Sequence, residues 1–325
     1  MRAIVVDRLT REPERLQVSE WATPTAGPGE VLIDVRAAGC NFSDVLMLSG
    51  TYQVKPELPF VLGREAAGVI SALGEGARGL SLGDRVLAFT DLGAFAERVA
   101  VAAADVRIMP ETMSFEAGAA IPIVYSTSYA ALVDRAALQA GETLLVHAAA
   151  GGVGLAAVQI GKALGARIIA TAGGADKLEV ARAAGADVLV DYRNEDFAEA
   201  VLAATGGRGA DVIYDSVGGD TSERSLKCIA WKGRLVVVGF AGGTIAEFRA
   251  NRIMLKNIAV IGLHWPAYAE REPGTVARVY DDLFALYGQG RIEPRIHAAH
   301  PLEDTGQALA ELADRKTVGK VVVVP

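Results

Sequence analysis

LLVHAAAGGVGLAAVQIGKALGARIIATAG, residues 144–173, is the stretch that decides the fold. A short apolar run ends at His147, a loop of Ala and Gly follows, GGVGLAAVQIGKALGA reads as a helix, and RIIATAG reads as a second strand. In such a loop, backbone N–H groups and the helix N-terminus can approach a pyrophosphate closely, and the helix dipole favours its negative charge. The G-x-G-x-x-G fingerprint of dinucleotide sites appears as Ala149-Ala150-Gly151-Gly152-Val153-Gly154, with Ala in place of the first Gly. Taken alone, the same residues would also suit a tight strand–helix turn whose glycines serve packing only. The strand before, the helix after and the further units described next favour the nucleotide reading.

Working outward, DKLEVARAAGA reads as a helix, DVLVDY as a strand, FAEAVLAATG as a helix, ADVIYDSV as a strand, SERSLKCIA as a helix and GRLVVVGF as a strand. Near-continuous apolar strands alternating with helices imply a parallel sheet covered on both faces. The pattern runs to about IAVIGLHW, residues 258–265, and is preceded by a helical SFEAGAAIPIVYSTSYAALVDRA. Residues 1–100 differ: RAIVVD, GEVLIDVRAAG, AAGVISALG and GDRVLAF are short strand patterns separated by Gly and Pro. The tail holds a helix, TVARVYDDLFALYGQG, and a last strand, GKVVVVP, that has no place in the α/β pattern. The reading is therefore a discontinuous catalytic domain, 1–122 and 266–325, with a nucleotide-binding domain, 123–265, inserted into it.

With 325 residues, 51% apolar and 22% charged, the chain has the size and composition of a two-domain globular enzyme. Its net charge of -7 argues against general attraction to nucleic acid or to an anionic membrane. The start reads as a strand rather than a signal peptide, and no stretch approaches the roughly 20 apolar residues of a membrane span. Cys40 and Cys228 are the only cysteines and are far apart, which argues against disulfide scaffolding and fits a cytoplasmic protein.

The choice of dinucleotide falls at the end of the second strand. An NAD enzyme places Asp or Glu there for the ribose hydroxyls; this chain has Thr171-Ala172-Gly173-Gly174, then Lys177. Two glycines leave room for a phosphate and Lys supplies charge, which points to NADPH. Lys177 as a solvated helix residue is the bland alternative, and Asp176 is a complication, since a small shift of the turn would bring it to the ribose.

GCNFSDVLMLSGTYQVKPELPFVLGREAAGVI, GLSLGDRV, HAAAGGVGLAAVQIGKALGA, YDSVGGD and GRLVVVGF together resemble the medium-chain dehydrogenase/reductase superfamily, in particular its zinc-free quinone oxidoreductase (zeta-crystallin-like) branch. The resemblance spans essentially the whole chain. It implies a Rossmann doubly wound sheet inserted in a GroES-like, mainly β catalytic domain, with the active site in the cleft between them, and NADPH as cofactor. Zinc alcohol dehydrogenases of the superfamily hold a metal through a Cys matching Asn41 and a His matching Arg64. Asn is a poor ligand for zinc and Arg cannot ligate, and the four-cysteine lobe is missing, so no metal is expected.

Carried over by position, the resemblance implies that Asn41 and Thr127 touch the nicotinamide side and that Tyr52 lines the substrate cleft. Gly151, Gly152, Val153 and Gly154 form the phosphate loop. Gly173, Lys177 and Tyr192 surround the 2′-phosphate, joined by Arg315, and Gly239 and Phe240 border the cofactor. Each has a bland counterpart: Asn41 as a loop cap, Tyr52 as a packed aromatic, Tyr192 as a strand-end residue, Arg315 as a surface cation. Asp44 and Arg64 are expected to pair where the metal would have been, and His264, beside Trp265, is the one histidine worth following. The implied function is NADPH-dependent hydride transfer to a quinone, with Tyr52 or Asn41 donating a hydrogen bond to the acceptor carbonyl, in a cytoplasmic homodimer. Reduction of an activated alkene is the alternative, and a low-turnover NADPH-binding structural or RNA-binding role is a third, against which the acidic charge argues.

Overall fold

In the computed structural model, which describes all 325 residues, the strand Thr143–Val146 is the third of a six-stranded, all-parallel sheet. The order is Val188–Asp191, Arg167–Ala172, Thr143–Val146, Ala210–Asp215, Ile229–Val237, Ala259–Gly262. In chain order this is 3-2-1-4-5-6, the doubly wound arrangement, whose strand order reverses between Thr143–Val146 and Ala210–Asp215. Leu144, Leu145, Val146, Ile168, Ile169, Ile213 and Tyr214 are wholly buried, as strands covered on both faces require. Helices Gly152–Ala163, Ala175–Ala183, Phe197–Ala204 and Gly219–Cys228 follow successive strands, at the places the sequence pattern indicates.

The chain divides into two compact units, 1–123 with 294–325, and 124–293. The return to the first unit therefore comes at Pro294, not at 266. The reason is the helix Pro273–Gly288, which buries Val276, Val279, Tyr280 and Leu283 and whose Asp282 accepts a 2.9 Å bond from Tyr129 Oη. The segment 114–136, read as one helix, is instead a short α-helix, Phe115–Ala119, then π-helical turns Ile121–Tyr125 and Ala130–Arg135 around α-helical Ser126–Tyr129. Pro122 has no N–H to give the ladder, and the Ile123 N–H is diverted to Glu65 Oε2 at 2.8 Å.

In the first unit, Glu30–Gly39 lies centrally in a seven-stranded sheet, paired with Glu65–Leu73, Arg98–Ala102 and, antiparallel, the last strand Lys320–Val324. That closing strand pairs Val322 with Gly39 and Val323 with Ala38, and the Cys40 N–H bonds the Val321 carbonyl at 2.9 Å. The far end of the chain is thereby fixed beside residues 39–41. A strand Ile296–Pro301 and a helix Thr305–Ala313 also occupy the tail, both absent from the sequence reading. The core of this unit gathers Ile4, Ile33, Leu48, Phe60, Leu62 and Phe95.

Candidate active site

In the second unit Gly151 to Gly154, expected to form the phosphate loop, stand where strand Thr143–Val146 passes into helix Gly152–Ala163. Ala148 adopts a left-handed conformation (φ 49), the Ala149 N–H bonds Thr171 O, and Gly151 is the N-cap with no side chain capping the first turn. That turn presents its N–H groups bare, as an anion site needs. Gly154 answers a different demand. A Cβ there would collide with the Ala148 carbonyl oxygen and come within 2.8 Å of Ala149 Cα, so glycine alone lets the helix pack this close. The Val153 carbonyl accepts from Ser128 Oγ at 3.0 Å, and that hydroxyl also meets Tyr214 Oη at 2.9 Å.

Beneath the loop lies a polar network that the sequence did not reveal. The buried ring of His147 spans Thr171 Oγ1 at 3.0 Å and Ser225 Oγ at 2.8 Å, and it meets the Phe197 ring in a T-shaped contact with centroids 4.8 Å apart. Burial pushes the imidazole down to about 4, so it is neutral and ties three elements of the nucleotide unit together. Asp215, also buried, accepts from the N–H groups of Val217 (2.9 Å) and Gly218 (3.2 Å) and from Ser222 Oγ, shaping the turn after its strand.

At the end of strand Arg167–Ala172, Gly173 and Gly174 (φ 94) lead into helix Ala175–Ala183, with Asp176 and Lys177 in its first turn. A Cβ on Gly173 would fall 2.8 Å from Tyr192 Oη, so the half-exposed phenol occupies space the glycine leaves open. Gly239 and Phe240 follow strand Ile229–Val237, and nothing lies nearer than 3.6 Å to a Cβ placed on Gly239. Thr127 is half-buried in the short α-helical turn Ser126–Tyr129. These ten positions (Thr127, Gly151 to Gly154, Gly173, Lys177, Tyr192, Gly239 and Phe240) all belong to the second unit; Asn41, Tyr52 and Arg315 belong to the first. His264 is exposed, while its neighbour Trp265 is buried and stacks on Tyr268 at 5.3 Å.

The first unit holds a dense buried cluster around Asn41. Its Nδ2 donates to Glu65 Oε1 (2.7 Å) and to the Gly39 carbonyl (3.2 Å), and its Oδ1 accepts from Lys320 Nζ (2.6 Å). Lys320 also pairs with Glu65 at 2.5 Å, with both side chains almost wholly buried. Both amide N–H bonds of Asn41 are thus engaged inside the protein. Its backbone N–H bonds Asp44 Oδ2 at 2.7 Å, capping helix Phe42–Leu48. Burial pushes the Asp44 carboxyl up to about 7, although Lys320 and Arg64 pull the other way, and its Oδ1 has no partner.

Arg64 is buried too, yet the Asp44–Arg64 ion pair expected from the sequence does not form. The carboxylate nearest its guanidinium is Asp91, at 4.0 Å, and its Nε is unpartnered. Instead, Arg64 Nη1 donates to Tyr52 Oη at 3.0 Å, and the guanidinium lies 5.3 Å from the ring centroids of both Tyr52 and Phe89. Helix Phe42–Leu48 sets Asp44, strand Glu65–Leu73 sets Arg64 from just before its start, and Tyr52 follows the helix with its N–H on Leu46 O. Glu65 and Lys320 went unnoticed in the sequence; the signal available was a charge at the edge of each of two otherwise apolar strands.

Two family descriptions match: an alcohol dehydrogenase GroES-like domain over residues 27–111 and a zinc-binding dehydrogenase over 152–281. Among curated relatives, a quinone oxidoreductase-like protein 2 homolog of Nematostella vectensis is 38% identical, covering 94% of this chain and 84% of that protein. The synaptic vesicle membrane protein VAT-1 homolog of Rattus norvegicus is 34% identical over 96% of this chain and 80% of its own length. Among solved structures, a mycobacterial protein complexed with NADPH superposes with a TM-score of 0.94 at 33% identity, each chain covered fully. An Escherichia coli quinone oxidoreductase complexed with NADPH gives 0.92 at 34%, again with each chain covered fully. The CurK enoyl reductase gives 0.89 at 29% identity, covering 99% of both.

Proposed function

Because the chain belongs to the medium-chain dehydrogenase/reductase superfamily, in its quinone oxidoreductase branch, we propose that it is an NADPH-dependent reductase that passes a hydride to a quinone without zinc. The residues present fit NADPH. The uncapped first turn after Gly151 suits a pyrophosphate, and the Tyr192 phenol over Gly173, with Lys177 in the first turn of the helix that follows, suits a 2′-phosphate. Gly239, Phe240 and Thr127 border its nicotinamide half. When bound, NADPH supplies the hydride, and the chain supplies position and the exclusion of water.

The observation that carries the acceptor side is the bond from Arg64 to Tyr52. A guanidinium can only donate, so Tyr52 Oη is the acceptor and its own hydrogen stays available for the acceptor carbonyl. As negative charge develops on that carbonyl oxygen, the phenol meets it directly and the Arg64 cation stands behind the phenol. Asn41, with both N–H bonds engaged, acts by positioning the loop rather than by donating to substrate. A buried Arg64 and a fully bonded Asn41 offer a cation no ligand pair, which supports zinc-independent chemistry.

Activated alkenes present the same electron-poor carbon and carbonyl oxygen, and likeness to an enoyl reductase favours them as the second reading. A homodimer is part of the proposal: helix Ala250–Lys256 buries none of its residues, exposes Met254 and Leu255, and precedes the edge strand Ala259–Gly262. Light scattering that returned the mass of one chain would remove it. The function itself is tested by following NADPH oxidation against a panel of quinones and enones, with and without chelator, alongside metal analysis. Quinone turnover indifferent to chelator is expected. Turnover of enones alone would select the second reading, no turnover with either would refute both, and about one zinc per chain would refute the metal-free mechanism.

A further inference from the structure

We propose that Arg193, in the loop after strand Val188–Asp191, reads the cofactor's 2′-phosphate together with Lys177 and so sets the preference for NADPH over NADH; the inference rests on the NADPH binding proposed above. Its guanidinium lies over the glycine pair. Nε is 2.8 Å from where a Cβ of Gly173 would stand, and Nη1 is 3.5 Å from that of Gly174. This is the ground that a ribose-binding carboxylate occupies in NAD enzymes. Here a cation comes to it from the neighbouring strand's loop.

The loop is held there by one side chain. Asp191 Oδ1 accepts from the N–H of Gly174 and from the N–H of Arg193, both at 3.1 Å, and Oδ2 accepts from Asn194 Nδ2 at 2.8 Å. Because Ala172 and Asp191 are partners across the parallel pair, this carboxylate ties the turn at Gly173-Gly174 to the loop that carries Arg193. The Arg193 and Gly174 N–H bonds hold Asp191 below the usual carboxylate range. Its oxygens are already engaged by protein donors, so they are not offered to a ribose.

The charges around the turn call for an anion. The Arg193 guanidinium is exposed, and its charge is only partly offset by Asp191, which it helps to keep ionised. Lys177 sits in the first turn of a nine-residue helix, where the dipole already makes the environment positive and where no side chain caps the N–H groups. Asp176 offsets part of this, but the Arg193 guanidinium and the Tyr192 phenol both lie over Gly173 beside that helix N-terminus. A dianionic phosphate answers that arrangement, and Arg suits it because its planar guanidinium can bond two phosphate oxygens at once.

The test is direct binding rather than turnover. NADPH and NADH affinities are measured from the change in nicotinamide fluorescence for the wild type, Arg193→Gln, Arg193→Lys and Lys177→Gln. Arg193→Gln should weaken NADPH by about ten-fold or more while changing NADH less than about two-fold, as loss of a charge-assisted contact predicts. Arg193→Lys should recover part of the loss. If the wild type prefers NADPH and Arg193→Gln leaves the ratio of the two affinities unchanged, the inference is wrong while NADPH binding stands. Equal weakening of both cofactors would assign the guanidinium to the adenine ring and also overturn it. A wild type without preference would overturn the cofactor reading itself.

Discussion

Lys320→Met should be among the most damaging single substitutions in the first unit. It replaces a buried ammonium with an apolar side chain of similar length, leaving Glu65, wholly buried, without the cation 2.5 Å from Oε1. Removing one partner of a buried ion pair costs about 3–5 kcal/mol, because the remaining charge stays desolvated. Two donors remain on Glu65, Asn41 Nδ2 at 2.7 Å and the Ile123 N–H at 2.8 Å, which argues for the lower end, about 3 kcal/mol. Asn41 Oδ1 loses its bond to Lys320 as well, so kcat should fall along with stability. Adding Glu65→Gln removes the orphaned charge and should restore about 2 kcal/mol, which a double-mutant cycle reads as coupling. The assay is equilibrium urea unfolding of the four proteins of the cycle, with steady-state kinetics on each. A cost below about 1 kcal/mol for Lys320→Met, with no recovery in the double variant, would refute a buried charged pair.

Tyr52→Phe keeps the ring and removes the hydroxyl, so kcat should fall by less than about a hundred-fold, since one neutral hydrogen bond contributes only about 0.5–1.5 kcal/mol and a preorganised donor somewhat more. Tyr52→Ala should raise KM further by removing the stacking surface; a thousand-fold loss in Tyr52→Phe would mean that Tyr52 is a true proton donor, and no effect from either would place it outside the site. His147 has its pKa depressed by burial to about 4 from the usual 6.5, so below pH 6.5 the unfolded chain takes up a proton that the folded one refuses. That contribution is intact above pH 6.5 and is lost as the pH falls towards 4, at up to about 1.4 kcal/mol per pH unit. His147→Gln should therefore lose stability less steeply over that range than the wild type in urea unfolding, and parallel slopes would contradict a neutral buried imidazole.

The second unit was legible because its signals are local. Apolar runs at strand length, helical periods between them and a glycine-rich turn are all read within about thirty residues, and the parallel order of strands follows from alternation. Local pattern and contact diverge in two places. Chain position puts the helix Pro273–Gly288 with the first unit, whereas its contacts group it with the second. The stretch 114–136 reads as an unbroken helix, but Pro122 and the Glu65 carboxylate take two amides out of its ladder.

By itself, the sequence determined the doubly wound sheet, the glycine-rich strand-to-helix turn at Gly151 to Gly154, and the unsuitability of Asn41 and Arg64 as zinc ligands, since each follows from residue type and short-range order. Only the tertiary structure decided what those residues touch. Asn41 is bonded through Glu65 to Lys320, 279 positions away, because the last strand closes against Gly39. Arg64 turns to Tyr52 rather than to Asp44, and Arg193 comes over Gly173 from the loop of the neighbouring strand. The physical reason is that the partners of buried charges and the donors around a site are chosen by strand pairing and burial, which join residues remote in the chain and leave no periodic trace in it.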